Sequence, residues 1–267
     1  MDNLALAFTY NGTVHKLELM FVAGTPQGEL FLFGDEQPIV IPGFFIAGFQ
    51  TTQALWNFIM GENGSRFQYQ GEQQPAEHVS WYDTQNFLEK LNQKFGNKGT
   101  FRLPTETEWE YAARGGQHWR DGFHFAGTNN MDEAGWYEGN AGPYSDMAII
   151  TQLKNKDKLT VAHPVGQKKA NQVGVYDMNG NLWEWCQDWF IRDPNLIPKD
   201  GSAYATPTHD KVLRGGCHHN GAIHCTNTKR YEITPGAFDG CIGFRLAFTL
   251  TNNQALTKNR NLLKPYS

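Results

Sequence analysis

Thiol and imidazole side chains concentrate in the last third of the chain. The cysteines are Cys186, Cys217, Cys225 and Cys241, and three histidines, His218, His219 and His224, lie close to Cys217 and Cys225. Thiolate and imidazole are ligands of zinc, copper and iron, and thiols also pair as disulfides. The cysteines form no CxxC pair, and the histidine spacing matches no familiar zinc pattern. Spacing alone therefore leaves reduced thiols, a disulfide and a metal site open.

Oxygen donors concentrate just upstream, in residues 177–184 (DMNGNLWE). Carboxylates and carbonyls in a glycine-containing loop suit calcium, which takes about six to eight oxygen ligands. An ion there would hold the loops together, so its role would be stability rather than catalysis. In the alternative interpretation, Asp177 and Asn181 cap turns and Glu184 pairs with an arginine. The sequence leaves both open.

Composition excludes some function classes. The 267 residues are 40% hydrophobic and 19% charged, with a net charge of -4, which is typical of a globular protein and argues against nucleic-acid binding. No run approaches the roughly 20 apolar residues of a membrane helix, so no membrane span is predicted. The first residues, MDNLALAFTYNG, lack signal-peptide features. Localisation stays unassigned, and a cell-surface location stays open if a targeting segment has been removed.

Three helices are predicted from polar caps followed by apolar residues at helical spacing. Their predicted caps are Thr51 or Thr52, Ser80 with Asp83, and Thr105 with Glu108. The second helix should end at Gly96 and the third at Gly115. These helices position the loops that carry the candidate ligating residues.

Short apolar or alternating runs predict strands at residues 17–22, 29–33 and 44–48, with 212–214 and 243–250 in a final sheet. Residues from 116 to about 174 show no strong period and predict a long irregular region. The polar tail after Thr251 should be peripheral. With no linker or repeat, residues 1–267 are interpreted as a single domain.

Four sequence blocks carry a family resemblance. They are residues 75–83 (PAEHVSWYD), 102–116 (RLPTETEWEYAARGG), 173–188 (VGVYDMNGNLWEWCQD) and 214–245, which opens with RGG and closes with GFR. Their order resembles the formylglycine-generating-enzyme family of sulfatase-modifying factors, over residues 21–248. That family is similar in fold to C-type lectins, which implies an α+β, C-type-lectin-like domain with much irregular structure.

The resemblance implies particular ligands for both metals. The matching loop of the family binds calcium through groups that here are the Asp177 side chain, the carbonyls of Gly180 and Leu182, and Glu184. Family members that oxidise a substrate cysteine hold copper(I) with two cysteines. Those positions correspond here to Cys225 and Asn220, and an amide cannot replace a thiolate. A copper oxidase acting on a cysteine or other thiol substrate is therefore the alternative hypothesis, and it would need Cys225 with Cys217 as catalytic residues.

Between its RGG and GFR ends, the segment 214–245 resembles the variable region of diversity-generating-retroelement proteins. Those proteins bind ligands through exchangeable residues on this fold. The leading hypothesis is a noncatalytic ligand-binding protein, with residues 217–241 contacting an unknown protein or surface ligand. The predicted ligand-binding residues are His218, His219, Asn220, His224, Asn227, Lys229, Tyr231, Glu232, Ile233, Phe238 and Asp239. Aromatic residues would supply rigid contact area and polar ones adaptable hydrogen bonds. Ordinary divergence of a surface loop, in an accessory domain with neither activity, stays open.

Arginines in these blocks are predicted to support the scaffold. Arg102, Arg114, Arg230 and Arg245 are predicted to be scaffold residues rather than site residues. An arginine beside Glu106, Glu110 or Glu184 would form a buried ion pair that holds loops.

Overall fold

Short strands and capped helices alternate along the chain, and the computed structural model describes them over residues 1–62, 67–96, 98–142 and 160–251. In chain order the strands and α-helices are β1 (Leu4–Tyr10), β2 (Thr13–Val22), β3 (Phe31–Phe33), β4 (Gln37–Ile39), β5 (Phe44–Ala47), α1 (Gln53–Met60), α2 (Trp81–Phe95), β6 (Gly99–Arg102), α3 (Glu106–Ala113), α4 (Met131–Ala134), β7 (Trp183–Trp189), β8 (Lys211–Arg214), β9 (Arg230–Ile233), β10 (Ile242–Gly243) and β11 (Ala247–Leu250). Short 3₁₀ helices lie at Gly116–Asp121, Pro194–Leu196 and Ala222–His224.

A five-stranded sheet has the order β1-β2-β5-β11-β6. It begins as a hairpin in which Leu4, Leu6 and Phe8 alternate into the core. The hairpin turn is Asn11-Gly12, with both residues at positive φ, as tight hairpin turns require. The predicted strands at 17–22, 29–33 and 44–48 correspond to β2, β3 and β5. β1 carries the same alternating signal but was missing from the predicted strands.

A four-stranded sheet, β10-β7-β8-β9, carries the frame of the 214–245 segment. The chain leaves β8 at Arg214, pairs with β8 again as β9 over Arg230–Ile233, and then crosses to β10 at Ile242, on the opposite side of β7. The prediction of one strand at 243–250 beside 212–214 was wrong. Residues 244–246 are irregular and separate β10, in the four-stranded sheet, from β11, in the five-stranded sheet. This short apolar run therefore contributes one strand to each sheet.

The helix predictions are confirmed, with Thr52 as the cap of α1. The Ser80 and Thr105 caps both form reciprocal capping boxes. The serine or threonine side chain accepts from the backbone N–H three residues on, and the carboxylate of Asp83 or Glu108 accepts from the backbone N–H of the cap residue. These boxes satisfy the first-turn donors that a helix leaves unpaired. The α3 cap fixes the entry of a helix whose acidic residues reach the site described below.

The core contains two large apolar clusters. The first lies between the five-stranded sheet and α1 and α2 and includes Phe87, Trp185 and Phe244; the second surrounds α3 and includes Trp109 and Tyr111. Within the predicted irregular region, the described part forms only the 3₁₀ helix Gly116–Asp121, α4 and loops, while residues 143–159 lie outside the described ranges. The predicted peripheral tail, 252–267, also lies outside them. Across the described residues, no helix is both long and apolar enough to cross a bilayer.

Candidate functional site

The amino end of the 214–245 segment is anchored by a buried ion network. Arg214 donates from NH1 to Glu106 Oε1 at 3.0 Å and from NH2 to Glu110 Oε2 at 2.7 Å, and all three side chains are buried. Arg230 binds Glu106 at two points, through Nε at 2.6 Å and NH2 at 2.7 Å. Glu106 and Glu110 lie one turn apart on the same face of α3. Through them this helix holds β8 by Arg214 and β9 by Arg230. Such hydrogen-bonded pairs fix geometry, because removing one partner leaves a buried charge.

The carboxyl end is anchored in the same manner. The buried guanidinium of Arg245 donates to both oxygens of Glu184, from Nε at 2.6 Å and from NH2 at 2.7 Å. Trp109 Nε1 and Gln50 Nε2 also donate to Glu184, at 2.6 and 3.0 Å. The predicted buried pairs of an arginine with Glu106 and with Glu184 are therefore present, and Arg230 and Arg245 are among the arginines that form them. Buried ion pairs therefore hold both ends of the segment.

The two remaining scaffold arginines also pair with acids. Arg114 lies 3.4 Å from Glu110, while Arg102 binds Glu108, an acid that the sequence prediction did not include, at 2.6 and 2.7 Å. Because Glu108 also caps α3, the Arg102 pair reinforces the start of that helix.

The predicted calcium ligands differ in their surroundings: Asp177 Oδ1 is buried without a hydrogen-bond partner, whereas Glu184 and the Leu182 carbonyl accept from protein donors. Four hydrogen bonds occupy the Glu184 oxygens, and the Arg245 guanidinium lies where it would repel a cation. The Leu182 carbonyl accepts from Gln50 at 2.9 Å. Asp177 accepts from Gly166 N–H through Oδ2 at 2.7 Å, and burial raises its pKa to about 6. The alternative interpretation of Glu184, a pair with an arginine, is the one that forms, and no metal-holding group of three or more His, Cys, Asp or Glu side chains occurs within the described ranges.

The RGG motif allows the chain to turn sharply out of β8. Gly215 and Gly216 have φ of 95° and 75°, in the left-handed region that favours glycine. A Cβ on Gly216 would lie 2.5 Å from Cys225 Sγ and 2.9 Å from its Cα. The second glycine therefore lets the segment fold back onto its own residue 225.

Part of the predicted recognition set forms an exposed surface, which we call the recognition surface. Its exposed members are His219, His224, Tyr231, Phe238 and Asp239. Tyr231 and Phe238 are each 47% exposed. The Tyr231 ring stacks on Trp183 with centroids 5.3 Å apart. The aromatic side chain that faces solvent is thus held from behind by a buried tryptophan.

Four further members are half-buried. They are Asn220, Lys229, Glu232 and Ile233. Glu232 pairs with Arg192 at 2.6 Å, and Asn220 accepts from the Cys217 N–H at 3.0 Å. These residues border the recognition surface and also hold its backbone.

Two predicted recognition residues, His218 and Asn227, are buried and cannot present their side chains to a partner. Asn227 Nδ2 donates to the Phe123 carbonyl at 3.0 Å, and its Oδ1 accepts from Asn179 at 3.1 Å. His218 Nδ1 lies 3.1 Å from the Thr160 hydroxyl. Placing these two in the recognition set was wrong, because their hydrogen bonds point into the scaffold. Nothing in the sequence distinguishes them from their exposed neighbours.

The two cysteines that the oxidase alternative requires, Cys217 and Cys225, are both buried. Cys225 Sγ lies 3.9 Å from the carbonyl oxygen of Cys217, and burial raises the pKa of its thiol to about 12. Cys241 Sγ lies 3.7 Å from His218 Nε2. All four cysteines are free thiols.

The fold and the frame motifs define the class. Residues 18–250 match the family model of the sulfatase-modifying factor enzyme 1-like domain, and the chain belongs to this family. It is 36% identical over 238 residues to the chaperone protein LppX of Paenibacillus barcinonensis, covering 76% of this chain and 78% of that protein. It is 32% identical over 181 residues to the formylglycine-generating enzyme of Streptomyces coelicolor, covering 65% of this chain and 52% of that enzyme. The chain thus spans about half the length of that enzyme.

Solved structures confirm the predicted α+β, C-type-lectin-like and formylglycine-generating-enzyme-like fold. Treponema denticola variable protein 1 superposes with a TM-score of 0.71 and 26% identity, covering 91% of this chain and 98% of that chain. PvdO from Pseudomonas aeruginosa superposes with a TM-score of 0.64 and 24% identity, covering 92% of both chains. The likeness to PvdO concerns the fold alone.

Proposed function

We propose that this chain is a noncatalytic ligand-binding protein that presents residues 217–241 as a diversified recognition surface for a protein or surface ligand. The observation that carries the proposal is the contrast in exposure along residues 214–245. The frame residues Arg214 and Arg245 are fully buried, whereas seven side chains between them face solvent, five of which belong to the predicted recognition set. Such a segment can change its exposed residues without changing the pairs that hold it.

The exposed side chains suit binding for physical reasons. Tyr231 and Phe238 supply contact area with few rotatable bonds, so little conformational entropy is lost on association. Stacking on Trp183 restricts Tyr231 before any partner arrives. His219, His224 and Asp239 add hydrogen-bonding groups of both polarities. Aromatic anchors surrounded by polar groups are typical of the residues that dominate binding energy.

Two relatives support the proposal. Treponema denticola variable protein 1 shares the fold, with 98% of its chain covered, and its name describes a variable protein. LppX, which this chain matches over 78% of that protein, is named as a chaperone.

One observation favours the second candidate, a thiol oxidase. Cys241 Sγ lies 3.7 Å from His218 Nε2, which brings a thiol and an imidazole together as two metal-ligating groups. Against it, Cys225, the cysteine that matches an oxidase position, points to a carbonyl oxygen and is fully buried. Asn220 at the other position is an amide engaged with the backbone of Cys217. The residues therefore support the binding role better.

A displayed library tests the proposal. His219, His224, Tyr231, Phe238 and Asp239 are randomised together on the yeast surface, and clones are sorted for folding and then for binding to hen lysozyme as a model protein. We expect most clones to fold and some to bind. A matched library randomises five exposed residues far along the chain, Val14, Leu30, Val40, Tyr82 and Leu196, and should fold without enrichment.

The outcome against the proposal is collapse of folding in the first library, or equal enrichment in both. A genomic observation is independent of the display result. An adenine-rich near-repeat of the DNA that encodes residues 217–245, beside a reverse transcriptase gene, would establish diversification of this segment.

A further inference from the structure

A cavity of about 540 Å³ lies against the five-stranded sheet, near its β6 edge. Its volume falls within the range of small-molecule sites, roughly 300–1,000 Å³. The apolar part of its wall includes Phe21, Phe45 and Phe248, with ring centroids 5.3 Å apart for the first two and 6.4 Å apart for the last two. None of its lining residues belongs to the segment 217–241, so this cavity is separate from the recognition surface.

A second part of the wall is the loop of residues 200–203, which hydrogen bonds hold in place. The Thr105 hydroxyl donates to the Gly201 carbonyl at 2.9 Å. The N–H and the hydroxyl of Ser202 donate to Asp200 Oδ1 at 3.0 and 2.6 Å. Gly201 has a φ of 78°, which favours glycine in this turn. The cavity is therefore formed before a ligand arrives.

Arg102 brings hydrogen-bond donors to this cavity. Its NH1 and NH2 bind Glu108 at 2.6 and 2.7 Å, NH1 also donates to the Leu103 carbonyl at 3.1 Å, and Nε donates to Thr249 Oγ1 at 2.9 Å. These bonds use four of the five N–H groups of a guanidinium, and across the described residues the fifth, on NH2, has no partner. In the planar guanidinium this N–H lies on the same side as Nε–H, beside Thr249.

The Thr249 hydroxyl supplies a second donor. Because its oxygen accepts from Arg102 Nε, its own hydrogen is free to donate to a ligand. Both side chains line the cavity, and Thr249 is exposed. Two donors side by side suit one oxygen acceptor, such as a carbonyl.

The charges on the wall disfavour an anionic ligand. Glu108 already neutralises Arg102 through two hydrogen bonds. Hydrogen bonds from Ser202 lower the pKa of Asp200, so this carboxylate stays negative at neutral pH. A ligand carboxylate would add a further negative charge beside these two acids, whereas a neutral carbonyl would not.

We propose that this cavity binds a neutral apolar molecule that carries an amide or ester carbonyl. The carbonyl oxygen accepts from Arg102 NH2 and from the Thr249 hydroxyl. The apolar part of the ligand packs against the phenylalanine rings of the wall. This binding site is additional to the recognition surface and does not depend on its role.

A titration followed by NMR tests the proposal on the full chain. The probe is 3-phenylpropanamide, which joins an aromatic ring to a neutral amide. We expect saturable shifts of the backbone amides of Ser202 and Thr249, with a Kd of about 1 mM for a probe of this size. The matched probe 3-phenylpropanoate carries a carboxylate instead and should bind at least about 10-fold more weakly.

Variants locate the two donors. Thr249→Val keeps the side-chain shape but removes the hydroxyl, and it should weaken binding by about 3- to 10-fold. Arg102→Lys keeps the charge beside Glu108 but lacks the NH2 donor, and it should weaken binding to a similar extent. Thr9→Val is the matched control, because Thr9 is an exposed threonine in β1, at the opposite edge of the same sheet. It should leave binding unchanged.

Melting curves show whether each variant is folded, and if Arg102→Lys does not fold, Thr249→Val decides. The proposal is overturned if 3-phenylpropanamide does not saturate or if its shifts map away from the cavity. It is also overturned if Thr249→Val binds as tightly as the unsubstituted protein, or if the carboxylate probe binds as tightly as the amide. None of these outcomes bears on whether the recognition surface binds a partner.

Discussion

Arg245 and Glu184 form a two-point ion pair inside the protein, with Nε to Oε2 at 2.6 Å and NH2 to Oε1 at 2.7 Å. Arg245→Met should lower the free energy of unfolding by about 3–5 kcal/mol, because Glu184 would keep a buried charge without its partner. Urea titration at pH 7 measures this. Arg192→Met is the matched control: Arg192 is mostly exposed in its pair with Glu232, so its loss should cost at most about 1 kcal/mol. Equal losses would contradict the anchoring role of Arg245.

The same pair leads to a prediction about calcium. Since the Glu184 oxygens are occupied and the guanidinium is adjacent, the melting temperature should be the same in excess calcium chloride and in excess chelator. Differential scanning fluorimetry of the full chain measures it. A fall of several degrees in chelator, absent in Glu184→Gln, would mean that calcium competes successfully with the arginine and would restore the calcium hypothesis.

Exposed and buried members of the predicted recognition set should respond differently to alanine. His224→Ala should change the free energy of unfolding by less than about 0.5 kcal/mol, as is usual for exposed positions. Asn227→Ala should cost about 1–3 kcal/mol, because it leaves the Asn179 amide and the Phe123 carbonyl without their partner. Chemical denaturation of both variants under one condition gives the comparison. A large loss for His224→Ala would mean that the segment cannot exchange its exposed residues freely.

Stability should depend on pH through Asp188. Burial, followed by the charge of Glu106, raises the pKa of this carboxyl to about 7. The folded state therefore holds a proton that the unfolded state releases near pH 4. The contribution of this proton to the free energy of unfolding is fully present below pH 4 and is lost as pH rises to about 7. The full loss is on the order of 4 kcal/mol.

Comparison with Asp188→Asn isolates this group from other titrating acids. Asp188 accepts from the N–H groups of Glu106 and Tyr204, and an amide offers one oxygen instead of two, so the variant should be less stable at pH 5. The difference in free energy of unfolding between Asp188→Asn and the unsubstituted protein should shrink as pH rises to 8, since the asparagine carries no charge to bury. Free energies of unfolding at pH 5, 6, 7 and 8 give the two slopes, and parallel slopes would refute the assignment.

Thiol reactivity separates the binder from the oxidase. Burial raises the pKa of Cys225 to about 12, so its thiol should resist iodoacetamide in the folded protein at pH 7 and react only on unfolding. Mass spectrometry of the peptide 215–229 measures the alkylated fraction. In parallel, copper-treated protein with a cysteine-containing peptide should consume no more oxygen than C225A does. Faster oxygen use by the unsubstituted chain would favour the oxidase.

Local signals predicted most of the fold. The Ser80 and Thr105 capping boxes depend on residues three positions apart, and the structure contains both. The end of the chain was harder, because residues 243–250 look like one apolar run. Gly243 pairs beside β7 and Ala247 pairs beside β5, so the break depends on which sheets meet there rather than on the residues themselves.

The site was predictable only where chemistry restricted the choice. Buried arginines require acids, which made the pairing of Arg245 with Glu184 foreseeable. Exposure could not be read from residue type: His218 and His219 are adjacent and identical, yet one is buried and the other faces solvent.

Gly216 shows how tightly this family member limits where its sequence can drift. A side chain there would collide with Cys225, so selection must purge nearly every mutation at that codon. A few positions onward, His224 is exposed to solvent, so a side chain of different size can be accommodated there. Mutational tolerance thus alternates abruptly between neighbouring sites, and a lineage could explore new partners rapidly while inheriting an unaltered architecture.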